Sequence, residues 1–595
     1  MKEKINKKLF LFYKICRDNR ISLIIFFAAF LIRFIFYINI KDTFLFENPI
    51  LDAKYYFDWA RSIANGDLIS SQQGVFLMSP GYPYILAVLF KLLSIKVDYP
   101  ILFQIFLGSI SCVLIFRICL RFVNRFLAVA AGLLLAFYGI AVFYDGMLLK
   151  SSLYQFLSIL FIFLFLVQVE NKKYVLSLFL GLIIGLLIQL RPYAVLLFFL
   201  TTAFYVYECR KESLRRLLYN SLFLTAGLLI MVLPVGIRNY IVGNQFVLST
   251  AHGGMNFYTG NNKYSVGPYT PLPFARTDPE YEQQDFLDHA IRLSKKKLSR
   301  SEANIFWYKE GLKFISANPV KWLKLMGKKL LIFINNYEPP INIDYYFFND
   351  YYGSLQRIAV ISFGLIAPFG IIGLVFYSRK SRKETFLVFY FLIYFFSNIV
   401  FFAVSEYRYP IVPVLIIFTV ILMSRIADYW KHNNWGKITI ISISVFFLLW
   451  LCNADIYSKC FKLQTYKAAN LANSYFGLGV TYESFNKDNE AVEAYKKSIS
   501  IMPQDSSIVN LSNKLLEKGK EQEAEKLLLW AIKLRPDSFE AHNNLGNLFY
   551  QRGEYKNAFN EFSIAFKLNP YSEAVKNNVK IVSEKLGVLN DRHRK

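Results

Sequence analysis

Apolar stretches long enough to cross a bilayer recur along most of this 595-residue chain, and that recurrence limits its possible folds more than any other feature. A spanning helix needs about 20 mostly apolar residues, and inside hydrocarbon only a helix or a closed barrel satisfies every backbone N–H and C=O. Such stretches lie near 21–40, 100–119, 127–144, 149–168, 174–189, 192–208, 217–236, 356–377, 384–404, 411–429 and 438–453. The 79–94 stretch is shorter and carries Pro80 and Pro83 at its start, so an in-plane or partly inserted element is expected there. With 55% hydrophobic residues and a mean hydropathy of +0.33, the chain is too apolar for an ordinary soluble protein. The expectation is an all-α polytopic membrane domain over 21–455, behind a basic arm at 1–20. The apolar run after that arm carries Arg33 and lacks a small-residue cleavage site, so a retained signal anchor is expected.

Charge sets the expected sidedness, because loops rich in Lys and Arg stay in the cytoplasm. With eleven spans, the N-terminal arm, Arg117/Arg121/Arg125, Glu170 to Lys173, Cys209 to Arg216, Ser378 to Lys383 and Lys431 to Lys437 share one face. Counting 79–94 as a full span would export Arg117 to Arg125, which the charge pattern opposes. The other face receives outer loops 41–99 and 238–355 and the C-terminus. The net charge of +26 therefore reads as membrane topology, and nucleic acid is not an expected partner. Six cysteines lack metal-ligand spacing; only Cys452 and Cys460 could share an oxidising compartment.

The C-terminal part, 470–595, repeats at about 34 residues, the period of the tetratricopeptide helix pair. Leu478-Gly479, Tyr482, Ala491, Tyr495 and Pro503 form one copy; Leu545-Gly546, Phe549, Ala558, Phe562, Ala565 and Pro570 form another. Between them Leu511, Leu515, Ala524, Leu528, Ala531 and Pro536 make a weaker copy, with Ser512 where Gly is usual. Small residues let paired helices approach, and Pro ends the second helix. Three repeats and a capping helix near 571–586 are expected.

Asp52 stands in the first outer loop, in Leu51-Asp-Ala-Lys-Tyr-Tyr-Phe-Asp-Trp-Ala60. A lone Asp is commonly a helix cap. Here Tyr55, Tyr56 and Trp59 follow at helical spacing and Asn65-Gly-Asp67 closes the segment, so an interfacial helix is expected with a carboxylate at its start. A base placed there could take a proton from a hydroxyl.

Asp52, Tyr56 and Ala60 with Ser79-Pro-Gly-Tyr-Pro83 resemble the first outer loop of GT-C glycosyltransferases of the protein O-mannosyltransferase type, glycosyltransferase family 39. Further similar stretches are Gly181 to Pro192, Arg238-Asn239, Gly253 to Asn262 and Glu406-Tyr-Arg-Tyr-Pro410. The resemblance covers roughly 20–455 and implies a GT-C core, a polyprenyl-phosphate sugar donor and Asp52 as catalytic base. A luminal repeat domain after such a core also resembles the tetratricopeptide-containing O-mannosyltransferases. Asp145, in the next outer turn, is implied as a second acid, alongside the plain reading of a turn residue next to Gly146. Where relatives carry Thr-Glu, this chain has Lys150-Ser151, so Lys150 could bind phosphate.

Arg191, Arg238 and Arg408 fall at outer helix ends, where cations are depleted. Their fork geometry suits a lipid phosphate, with Tyr407 flanking Arg408; snorkelling or an ion pair is the bland alternative. His252, Asn256, Tyr258 and Asn261, in a Gly- and Asn-rich segment, and Glu338, before Pro339, are the remaining candidates for sugar or acceptor contact, against a plain structured loop.

The expected activity is inverting transfer of a sugar from a polyprenyl phosphate to an acceptor hydroxyl outside the membrane. The acceptor would be a protein or a glycan, reached through the repeat groove. No cofactor is required by this scheme, and a divalent metal stays open. A multi-pass inner-membrane location with long loops and repeats on the periplasmic side fits the composition. Two rivals are an O-antigen-ligase or polysaccharide-polymerase-like protein, which would not need Asp52, and a transporter or scaffold with appended repeats. Transporters tend to show paired halves and mid-bilayer charges, and no half repeats here.

Overall fold

The computed structural model describes residues 2–209, 213–275, 279–352, 359–377, 381–455, 463–569 and 572–592, and it divides into two units, Met1–Tyr457 and Ser458–Lys595. Among the described residues every element is helical apart from one isolated bridge between Tyr138 and Ile361.

In the first unit, α1 (Lys2–Ile40) leads to α2 (Leu51–Ala64), then α3 (Gly81–Leu92) and α4 (Asp98–Cys119). Next come α5 (Arg125–Ala136), α6 (Gly139–Asp145), α7 (Lys150–Asn171), α8 (Tyr174–Leu190), α9 (Val195–Cys209) and α10 (Leu214–Gly243). The long segment 238–355 holds α11 (Gly253–Gly260), α12 (Pro279–Ser294), α13 (Arg300–Ala317), α14 (Pro319–Ile334) and α15 (Tyr345–Tyr352). Then α16 (Phe363–Tyr377), α17 (Arg382–Val400), α18 (Val412–Lys431) and α19 (Trp435–Asn453) complete the unit. Among the described residues seven helices are long and apolar enough to cross a membrane; the stretches expected at 127–144, 174–189, 192–208 and 356–377 form shorter apolar helices instead.

The 127–144 stretch departs furthest from expectation, because the helix breaks at Phe137 and Tyr138. Gly139 N–H donates to the Ile361 carbonyl at 3.0 Å, and Ile361 N–H donates to the Phe137 carbonyl at 3.1 Å. Two backbone groups leave the helical ladder without going unsatisfied, which is what an apolar interior demands of any interruption.

The 12-residue α3 is too short for a full span. Side-chain bonds at both ends of α4 fix its antiparallel pairing with the second half of α1. Arg117 donates to Asn19 at 2.6 Å and to Ser22 at 3.0 Å, whereas Tyr37 donates to Asp98 at 2.6 Å. Arg117 thus lies beside Asn19 and Ser22, where the apolar span of α1 begins. The same end collects Arg125–Asp18 (2.8 Å), Arg121–Glu170 (3.2 Å), Lys383–Glu170 (2.6 Å) and Arg382–Glu208 (2.7 Å).

Packing explains two of the glycines. A Cβ on Gly181 in α8 would stand 2.1 Å from the Leu224 carbonyl oxygen, and one on Gly227 in α10 would stand 2.2 Å from the Leu178 oxygen. These reciprocal gaps let the two backbones touch, as small residues do between membrane helices. The first eleven residues of α18, Val412 to Leu422, are buried on every side and form the centre of the unit.

The second unit stacks three helix pairs and a cap: α20 (Leu463–Ser484) with α21 (Asp488–Ile501), α22 (Asp505–Glu517) with α23 (Glu521–Leu534), α24 (Phe539–Gln551) with α25 (Tyr555–Leu568), then α26 (Glu573–Arg592). The repeating apolar positions are its core: Ala491, Tyr495 and Leu511 in one layer, Leu528, Ala531 and Leu545 in the next, then Ala558, Phe562 and Val582. Ser512 replaces the usual Gly by folding its hydroxyl back onto the Val509 carbonyl at 2.6 Å. Cys460 and Pro570 lie outside the described residues; Cys452 is a buried free thiol.

Candidate active site

Asp52 sits in the first turn of α2, half-buried, where the helix N-terminus favours a carboxylate. The residue before it, Leu51, has φ 51°, a left-handed conformation that costs a leucine about 1–2 kcal/mol. Strain of this kind persists only where surrounding structure imposes it, and functional sites are where it concentrates.

Among the described residues the charge of Asp52 acts on Tyr56, Lys150, Tyr269, Glu282 and Tyr407. Lys150, at the start of α7, donates to Ser79 Oγ at 3.2 Å and stands 5.7 Å from the centroid of the Tyr56 ring. Arg191, between α8 and α9, forms a buried ion pair with Glu406 at 2.6 Å. Ser151 donates to the same Glu406 oxygen at 2.7 Å. The guanidinium carbon of Arg191 lies 4.8 Å from the Tyr407 centroid and 5.1 Å from that of Tyr154, a doubly stacked cation. His252, at the start of α11, feels the Lys150 charge; burial and that charge together lower its pKa to about 4, so its imidazole is neutral at pH 7. Asn256 stands beside it, one turn on.

Around Lys150 three buried polar atoms lack a hydrogen-bond partner: Tyr56 Oη, Arg191 Nε and His252 Nδ1. Buried polar groups are almost always paired, so a convergence of unpaired ones beside an underused ammonium marks a place for a polar ligand. Lys150 has three N–H donors, and Ser79 takes one.

Several expected site residues are committed elsewhere. Arg408 is buried and donates to the carbonyls of Phe333 (2.9 Å), Asn335 (2.6 Å) and Tyr337 (3.2 Å). It also approaches Glu338 to 2.5 Å as an ion pair, with the Glu338 Oε2 atom lying off the hydrogen-bond direction. Arg408, expected at a phosphate, and Glu338, expected at a sugar, are engaged with each other in this structure. Arg238 donates to the carbonyls of Ile69, Ser70 and Gly74 and lies 3.7 Å over the Phe76 ring, pinning the loop before α3. Asp145, expected as a second acid, is paired at 2.7 Å with Arg33 and accepts from Ser152. Asn261 donates to Phe257 and Val400 carbonyls and accepts from Trp322, while Tyr258 packs on Trp307 at 4.6 Å. In each case the acid, arginine or amide satisfies a demand of the fold that local sequence does not reveal.

Glu282 was missing from the sequence expectations. It lies on α12, which packs against α2, and accepts from Tyr269 Oη at 2.9 Å. Burial, with Asp52 and Asp285 nearby, pushes its carboxyl up to about 7. Nothing local separates it from the other acids of Glu280-Tyr-Glu-Gln-Gln-Asp285; only the packing of α12 on α2 does. Among the described residues no group of three or more His, Cys, Asp or Glu could hold a metal ion.

Residues 472–505 match the tetratricopeptide repeat family, and 513–553 match the TPR repeat family. No curated protein matches the chain by sequence. Among solved structures, the first TPR of Spaghetti (RPAP3) bound to an HSP90 peptide aligns at 20% identity over 20% of this chain and 93% of that one, with a TM-score of 0.19. The apo oligosaccharyltransferase of Archaeoglobus fulgidus aligns at 13% identity over 73% of this chain and 55% of that one, TM-score 0.40. The AglB oligosaccharyltransferase of Archaeoglobus fulgidus, in complex with an inhibitory peptide and a dolichol-phosphate, gives 13%, 75%, 55% and 0.42. The chain spans about half of each oligosaccharyltransferase, and a likeness this distant argues nothing about chemistry.

Proposed function

We propose that the membrane unit transfers a sugar from a polyprenyl phosphate to an acceptor hydroxyl on the outer side of the membrane. The observation that carries this reading is the convergence of unpaired Tyr56 Oη, Arg191 Nε and His252 Nδ1 around Lys150, within the electrostatic reach of Asp52. Lys150 and the spare N–H of Arg191 take the donor phosphate through charge-assisted bonds. Asp52 accepts the proton of the acceptor hydroxyl, whose oxygen attacks the anomeric carbon. The bond from that carbon to the phosphate oxygen breaks, its electron pair leaves with the phosphate, and the configuration inverts. Lys150 and Arg191 stabilise the charge that gathers on the leaving phosphate. In this reading Lys150 replaces Arg408 and Arg238 as the principal phosphate ligand, and the enzyme works in a bacterial inner membrane with its site facing the periplasm.

The test pairs two variants in purified, reconstituted protein. Asp52→Asn should abolish transfer while retaining binding of a polyprenyl-phosphate sugar; Lys150→Gln should weaken donor binding at least tenfold with the fold intact. Full transfer by Asp52→Asn removes the base, and unchanged donor affinity in Lys150→Gln removes the phosphate site.

A further inference from the structure

Helix α14 exposes a face that neither the packing of the membrane unit nor the proposed chemistry uses. Three points along it are tied to the ends of membrane-length helices. Near its start, Trp322 donates to Asn261 Oδ1 at 3.0 Å, and Asn261 in turn donates at 2.7 Å to the carbonyl of Val400, the last residue of α17. Further along, Lys329 donates to the Phe401 carbonyl at 2.6 Å. Just past the end of α14, Asn335 Nδ2 and Asn336 N–H both donate to the Cys452 carbonyl, at 2.9 and 2.8 Å, in the last turn of α19. Both α17 and α19 are long and apolar enough to cross a membrane, and with one such helix between them their ends fall on the same side. At 1.5 Å per residue, Trp322 to Asn335 covers about 20 Å. A helix tied to span ends along that whole length runs along the hydrocarbon boundary and not into it.

At about 100° per residue, the side chains of α14 sort into three arcs. Leu325, Lys329, Ile332 and Phe333 are buried against the protein. On the opposite side Val320, Leu323 and Leu330 are 65%, 62% and 40% exposed. Gly327 stands among them, where a Cβ would meet nothing within 4 Å. Lys321, Lys324 and Lys328 fill the strip between the apolar face and the buried one, the first two exposed and the third half-buried. No Asp or Glu occurs between Pro319 and Ile334.

Exposed apolar side chains beside a strip of lysines suit a helix lying in the plane of a bilayer surface. The apolar arc enters the acyl boundary, and the lysine stems carry their ammonium groups back to headgroup level. We propose that α14 lies in the membrane interface and binds anionic phospholipid headgroups through Lys321, Lys324 and Lys328. Charge selects that occupant. A zwitterionic headgroup offers three lysines no net attraction, whereas each lysine near an anionic surface favours it by about fivefold, about a hundredfold for the three together. A second copy of this chain fits less well, because a two-fold contact across the apolar face would bring two lysine strips side by side. The inference rests on α17 and α19 crossing a bilayer and is independent of the glycosyl-transfer reading.

The test follows amide hydrogen exchange in the full-length protein, reconstituted in nanodiscs of phosphatidylcholine alone or of an equal mixture with phosphatidylglycerol. Peptides covering 319–331 should exchange at least about fivefold more slowly in the mixture. High salt should shrink that difference, because the attraction falls off within a Debye length. The triple variant Lys321→Gln, Lys324→Gln and Lys328→Gln should abolish the difference with its thermal midpoint unchanged. The proposal is overturned if exchange is the same in both lipid compositions, or if the triple variant is protected as well as the parent. Equal protection by inorganic phosphate added to phosphatidylcholine discs would also overturn it, by assigning the strip to a soluble anion. It fails too if the triple variant loses stability and exchanges faster in both compositions, which would make the lysines a brace of the fold.

Discussion

Replacing Arg408 by Met should damage the fold before it touches any chemistry. The guanidinium is 3% exposed and Glu338 is 5% exposed, so the two charges neutralise each other out of contact with solvent. Removing one partner of a buried pair costs about 3–5 kcal/mol, because the other charge is left uncompensated. The carbonyls of Phe333, Asn335 and Tyr337 lose their donor at the same time, about 1 kcal/mol each at the usual net worth. A compensating change, Glu338→Gln in the Arg408→Met background, should recover much of the loss by removing the orphaned charge. The assay is heating of detergent-solubilised protein with the monodisperse fraction read by size exclusion, in parallel with binding of a polyprenyl phosphate. The single variant should lose several degrees in midpoint, and the double variant should regain part of it. A variant as stable as the parent that has lost donor binding would refute the structural role and restore Arg408 as a phosphate ligand.

Glu282 should impose a pH dependence. Its folded pKa of about 7 lies above the ordinary 4.5, so between those values the folded state holds a proton that the unfolded state has released. Stability should therefore fall as pH rises from about 4.5 through about 7, and Glu282→Gln should flatten that slope in a thermal-midpoint series; an unchanged slope would show that the group does not titrate there. Gly227→Val places a branched side chain against the Leu178 carbonyl and should cost about 1–3 kcal/mol or more, whereas Gly327→Ala, with nothing within 4 Å, should be neutral or stabilising by about 0.4–1 kcal/mol. Equal midpoints for Gly227→Val and the parent would contradict the close crossing of α8 and α10.

The all-helical fold and the repeat unit were legible because both rest on periodic apolar patterns. Spans follow from length and hydropathy, and Ala491, Leu528, Ala558 and their partners repeat at a fixed interval. The basic cluster was legible in its grouping: Arg121 and Arg125, read as sharing one face, do gather at one end of the helices, with Glu170 and Asp18. The site was legible only in part. Asp52, Tyr56, Lys150, Arg191, Tyr407 and His252 converge, but sequence cannot say which arginine a distant carboxylate or carbonyl will claim. Arg408 and Arg191 look alike in sequence as helix-end cations, yet one is consumed by three carbonyls and Glu338 while the other keeps a free Nε. Glu282 was illegible because its place depends on α12 meeting α2, which lies far away in sequence.

The break at Phe137 and Tyr138 has a consequence for biogenesis. The α5–α6 pair leaves the ribosome long before Ile361, the residue whose backbone completes its joint. During synthesis the Gly139 amide and the Phe137 carbonyl must find temporary partners in water, lipid headgroups or insertion machinery. Final assembly of this early pair of helices therefore waits on a late segment, and the membrane unit matures as a whole and not in order of translation.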